Sequence, residues 1–200
     1  MCFKTLGKIM TNPVEAVKDA KKKKDVSGTV LILMLSWLLI GLSLSLVSLN
    51  TYNLIVSISV GITIVIIGSL LSVFVGYLLT KIMNILGGSG KFIDGVIVIS
   101  YSIFPITPAF LVTALLSMID PAVGFIGFIL MAVQIAQGFS IYFRATGDLF
   151  KTNMTKVLIG FLIMLYVLML SMSLTLALTS GTTISLFDQM MSPLGLVQPL

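Results

Sequence analysis

Residues 54–79 read LIVSISVGITIVIIGSLLSVFVGYLL, a run with no charged side chain. It exceeds the ~20 helical residues that cross about 30 Å of hydrocarbon. Lipid offers the backbone no hydrogen-bonding partner, and the run lacks the period-two alternation of a barrel strand, so it reads as a transmembrane helix. Outward from it, four more runs meet the same length: 28–49, 95–119, 123–143 and 157–178. The composition agrees, since 58% hydrophobic and 10% charged residues leave too little polar surface for a water-soluble domain of this length. The expected fold class is all-α: a polytopic integral membrane protein, a bundle of five transmembrane helices with a short amphipathic N-terminal helix. Its expected parts are a tail at 1–27, a five-span domain at 28–178 and an outer tail at 179–200. The first span follows lysines as a secretion signal would, but its apolar core exceeds the ~7–15 residues of such a signal and reads as retained.

The basic residues orient these spans. Lys4, Lys8, Lys18, Lys21, Lys22, Lys23 and Lys24 precede the first span; Lys81 and Lys91 flank the link between the second and third; Arg144, Lys151 and Lys156 occupy the link between the fourth and fifth. All lie on one side of a five-span topology, and the five outside the tail would share its side by chance about once in thirty trials. The amino terminus is therefore expected in the cytoplasm and the carboxyl terminus outside. In the tail, Asn12 stands at a helix cap, Pro13 at the first helical position and Glu15 three residues after the cap. Val14 and Val17, and before the proline Phe3, Leu6 and Met10, form apolar stripes by which the tail can lie on a membrane surface. Lys21, Lys22, Lys23 and Lys24 are candidate contacts to anionic lipid headgroups, at about 1 kcal/mol each, besides holding the first span's orientation.

The link from Leu86 through Gly87, Gly88, Ser89 and Gly90 to Lys91 suggests a phosphate loop, but the spacing refuses it. A Walker loop needs Gly five residues before its Gly-Lys pair and Ser or Thr after it, where this chain has Ile85 and Phe92. A glycine-rich turn accounts for it. Residues 144–156, with Gly147 and Asp148, read as a second turn.

The span interiors hold no acidic or basic side chain, the chain has no His, and Cys2 is its single cysteine. Those absences count against a proton-coupled pump, a metal or cofactor site and acid–base catalysis, so no enzyme is expected. Three intramembrane features stand out. Gly61, Gly68, Ser72 and Gly76 form a smooth stripe, a helix-packing face turned toward another span or another copy of the chain. Gln134 and Gln137 are neighbours on the fourth span, on or beside a face that also carries Gly124, Gly127, Met131 and Gly138, and two amides in hydrocarbon need partners. Pro105 and Pro108 remove backbone donors near the middle of the third span and should kink or break it. With Tyr101 and the two glutamines they form a candidate intramembrane polar and kink site. Trp37, in mid-span, is expected between helices and not in an interfacial belt.

A helix after Asn12-Pro13, a first span, the turn Gly87-Gly88-Ser89-Gly90-Lys91-Phe92 and Tyr101-Ser102-Ile103-Phe104-Pro105 in the third span follow one another here. This order resembles the Yip domain family, five-span membrane proteins known as partners of Rab-type (Ypt) small GTPases. The resemblance covers about residues 12–178 and implies a cytoplasmic amino terminus. The trafficking members carry a long cytoplasmic region before the membrane, whereas about 27 residues stand here, which counts against GTPase binding and is similar to compact prokaryotic members. The expectation is a non-enzymatic protein of a prokaryotic cell membrane that organises bilayer or partner proteins, with the lipid bilayer, a second copy or another membrane protein as partner and no nucleic acid. The alternative is a small-molecule or lipid transporter, or a transporter subunit, using a broken third span.

Overall fold

Residues 7–9 are already helical, and a longer helix begins just after Asn12. The Asn12 side-chain amide donates to the Glu15 carboxylate (3.0 Å), its carbonyl accepts from the Ala16 N–H (3.1 Å), and α1 runs Pro13–Lys23. The computed structural model describes residues 7–9, 11–23, 26–49 and 52–191, and side chains within them except at 23, 121, 172 and from 174 onward. Lys24 and the tail residues Cys2, Phe3, Leu6 and Met10 lie outside the described residues. Six helices follow α1: α2 (Val26–Ser48), α3 (Leu54–Ile85), α4 (Phe92–Ile103), α5 (Ile106–Ile119), α6 (Pro121–Phe150) and α7 (Met154–Met191), with no strand among the described residues.

Five helical stretches are long and apolar enough to cross a membrane: Val26–Ser48, Leu54–Ile85, Phe92–Ile119, Ala122–Phe150 and Met154–Ser171. Each begins where local chemistry allows. Asn53 Oδ1 accepts from the Val56 N–H (3.0 Å) to cap α3, and Asp120 Oδ1 accepts from the Ala122 N–H (2.7 Å) to cap α6, with Pro121 in the first turn.

The helices outrun the apolar runs that announce them. α3 continues to Ile85, and α6 carries Arg144, Gly147 and Asp148 to Phe150, leaving only 151–153 where a turn at 144–156 is expected from sequence. The cause is that a charge ends a span but not a helix: Lys and Arg are good helix formers, and no proline interrupts these stretches. α7 likewise continues past 178 to Met191, with no proline before Pro193.

The chain divides into two units, 1–160 and 161–200. Among the described residues, the second holds the remainder of α7. In the first, the third span sits at the centre, because 61% of its apolar window is buried against 17–28% for the other spans. α4 packs on α1, α2, α3 and α6, and α5 packs on α2 and α6.

In the tail, Ile9, Ala16, Val17 and Ala20 are buried and α1 packs on α4 and α6, so this face covers the ends of other helices. Lys8 ties the tail internally, donating to Asp19 (2.6 Å) and lying 3.5 Å from Glu15. The Asp19 hydrogen bond raises the Lys8 pKa above its ordinary value.

Candidate functional site

The third span is interrupted between Ile103 and Ile106. Phe104 (φ −53°, ψ −45°) and Pro105 (φ −60°, ψ −30°) both keep helical angles, so the interruption is a missing hydrogen bond and not an unwound segment. Pro108 falls in the first turn of α5. Its missing N–H would have met the Phe104 carbonyl, which instead accepts from the Thr107 N–H (3.2 Å) and the Thr107 hydroxyl (2.9 Å). Ser100 and Ser102 donate to the Val96 and Val98 carbonyls (2.8 and 2.6 Å). The hydroxyls around the break are thus used by the helix's own backbone, and that of Thr107 serves the carbonyl that Pro108 leaves free, a usual way in which a proline is accommodated in lipid. Tyr101 is fully buried beside them.

α6 meets this break through its small residues. A Cβ at Gly138 would stand 2.6 Å from the Ser102 carbonyl oxygen, and one at Gly127 would stand 2.7 Å from the Thr113 Cα. Gln134 lies between those positions on the same face. Its Oε1 is buried and has no hydrogen-bond partner among the described residues. Gln137 is half-buried one turn further on. The structure therefore brings the proline break and the glutamine helix together, through Gly138.

The small-residue stripe of α3 faces inward along its length. At Gly61 a Cβ would lie 2.8 Å from the Gly41 carbonyl oxygen of α2. At Gly68 it would run into the Trp37 ring, whose indole N–H donates to Ser72 Oγ (2.8 Å), so Trp37 is packed between two helices. At Gly76 it would lie 2.9 Å from the Val96 nitrogen at the start of α4. Packing between spans accounts for every member of this stripe.

At the lysine-bearing end, four segments converge. The loop after α3 turns at Gly87 (φ 86°), and Ser89 N–H donates to the Phe150 carbonyl (2.9 Å). Asn84 closes the loop with two reciprocal bonds to Gly90, 3.0 and 3.1 Å. Gly90 lies against the Phe150 ring, so a side chain there would collide with it. Asp94, almost fully buried, accepts from the Lys91 N–H (2.8 Å) and lies 3.6 Å from Lys21 Nζ. Lys21 also donates to the Leu149 carbonyl (2.5 Å) at the end of α6, and Lys18 pairs with Asp148 at 2.9 Å. Lys21 is thus bound within the protein, whereas Lys22 is exposed. Lys151 ends α6 in the left-handed region (φ 53°, ψ 48°), the sole non-glycine residue with positive φ among the described residues. That conformation costs about 1–2 kcal/mol, and glycine is the usual occupant of such a helix end.

The family model of the Yip1 domain matches residues 7–178. The chain belongs to the Yip1 domain family. No curated protein and no solved structure matches it. In this Yip1 domain the glycine turn is explained by its docking on Phe150, and the Tyr101–Pro105 segment by the break of the central helix. Two groups escaped the sequence reading. Gly41 and Gly95 are the close-approach partners of Gly61 and Gly76, signalled only by being small residues in apolar runs. The convergence of Lys21, Asp94 and Lys151 had no sequence signal, since their separations follow no helical period.

Proposed function

We propose that this Yip1-domain protein is a non-enzymatic multi-pass membrane protein that organises the bilayer, or partner proteins in it, from its basic end. In this reading that end faces the cytoplasm of a prokaryotic cell. The charge balance there carries the proposal. Among the described residues, Glu15 and Asp19 are engaged by Lys8, Asp94 by Lys21 and the Lys91 N–H, and Asp148 by Lys18. Lys22, Lys81, Lys91, Arg144, Lys151 and Lys156 have no acidic partner among those residues. A surplus of unpaired cations at the ends of spans suits an anionic leaflet, at about 1 kcal/mol per residue near the surface.

A transporter is the second reading, and one observation favours it: the buried Gln134 Oε1, which has no hydrogen-bond partner among the described residues. Against it, the break stays helical and its hydroxyls are satisfied, whereas transporter sites use unwound backbone. Release of a panel of trapped solutes and movement of labelled lipid between leaflets, measured in proteoliposomes, separate the two. An organiser gives the same leak with the wild type and with Gln134→Leu/Gln137→Leu. Uptake or lipid transfer that vanishes in the double variant establishes transport.

A further inference from the structure

The cationic end contains a half-open cavity of about 430 Å3, within the ~300–1,000 Å3 typical of small-molecule sites. Lys21 from α1, Lys91 from the glycine turn and Lys151 from the end of α6 line it, with Ser89 and the buried Asp94. Three lysines and one acid thus line the cavity, and the acid is already held by the Lys91 N–H and by Lys21. The cavity lies beside the N-terminus of α4, where Lys91, Ile93 and Asp94 line it. The charged group it suits is an anion.

The rest of the lining says which kind. Val26, Ile93 and Ile97 supply an apolar wall, and Val26 and Ile93 stand in the first turns of the first and third spans. The cavity lies where helices enter the apolar layer, with lysines beside a greasy flank. A free phosphate would leave that flank uncovered, whereas a phospholipid places its phosphate among the ammonium groups and its acyl chains along the wall. The backbone agrees: Lys151 occupies a left-handed position that favours glycine and lines the cavity.

The geometry points to a binding site for the phosphate headgroup of an anionic phospholipid, formed by Lys91 and Lys151 with Ser89, beside the internally bound Lys21. It deepens the reading of the basic end given above and rests on it. Lys91 and Lys151 are exposed and have no ion pair among the described residues, so replacing them leaves the helix contacts intact.

The test uses the full chain in neutral detergent, titrated with short-chain phosphatidylglycerol, with short-chain phosphatidylcholine, and with glycerol phosphate as the soluble anion. Phosphatidylglycerol should bind saturably, and well above the other two. Lys151→Gln and Lys91→Gln should each weaken it about fivefold and together about 25-fold, Lys151→Arg should retain it, and Lys22→Gln, which removes an exposed charge that does not line the cavity, should change it less than twofold. Unaltered thermal unfolding of each variant keeps the comparison one of binding. Equal binding of glycerol phosphate would overturn the lipid assignment in favour of a soluble anion. Equal losses from Lys22→Gln and Lys151→Gln would overturn the pocket while leaving the general cationic reading standing. Absence of any preference for phosphatidylglycerol by the wild type would overturn both.

Discussion

Gly76→Leu should separate the central helix from α3. The two backbones meet at this position: a Cβ would stand 2.9 Å from the Val96 nitrogen, 3.0 Å from the Val96 Cα and 3.1 Å from the Gly95 carbonyl carbon. All three are backbone atoms, so no rotamer change can relieve the clash and the helices must move apart. Overpacking of this kind costs about 1–3 kcal/mol, which for a chain of this size corresponds to a melting shift of about 2–12 °C. Leucine belongs at the upper end of that range. Leu70→Ala is the control, because Leu70 is 67% exposed on the opposite face and removing its side chain exchanges lipid or detergent contacts only. The assay is thermal unfolding of the purified protein in one detergent, followed by loss of the monodisperse peak. Gly76→Leu should melt several degrees below wild type and Leu70→Ala close to it. Equal melting of the two variants would refute the argument that small residues set the distance between these helices.

Three more outcomes follow from the same contacts. Trp37→Phe removes the indole hydrogen bond to Ser72 while keeping a ring on Gly68, so it should cost about 0.5–1.5 kcal/mol in the same melting assay, and an unchanged midpoint would mean that the bond contributes nothing. Gln134→Leu removes a buried oxygen with no partner among the described residues and should be neutral or stabilising, while a loss above about 1 kcal/mol would show that the amide has a partner in the membrane. In a Cys2→Ser background, a cysteine at Asp120 should react with an impermeant thiol reagent added to intact cells and one at Ser89 should not; the reverse pattern would invert the assigned orientation.

The spans were legible because each needs only one signal, an apolar run of sufficient length, and lipid removes every competing backbone solution. The break at Pro105 was legible for a similar reason, since a missing N–H acts through local geometry alone. The docking of α1 was not. Ala16, Val17 and Ala20 form a stripe that suits a membrane surface and the ends of α4 and α6 equally well, and only the folded chain shows which is present. The extent of α6 was not legible either, because Arg144 and Asp148 end the apolar run, and polar residues continue a helix readily once it leaves hydrocarbon. The three lysines of the cavity come from segments separated by tens of residues, so their approach is a property of the packing. The inward direction of the α3 stripe needed Gly41 and Gly95 opposite it, which no spacing within α3 can reveal.

The central claim is that the basic end gathers anionic lipid, and energy transfer in proteoliposomes tests it most directly. A donor dye on Thr155→Cys, exposed at that end, is compared with the same dye on Ile119→Cys at the opposite end of the third span, both in a Cys2→Ser background. Dilute acceptor-labelled phosphatidylglycerol or phosphatidylcholine is included in otherwise identical vesicles. The account predicts transfer from position 155 to phosphatidylglycerol above that expected for random mixing, lost at high salt, with neither enrichment at position 119 nor enrichment of phosphatidylcholine. Equal transfer to both lipids from position 155 would contradict it.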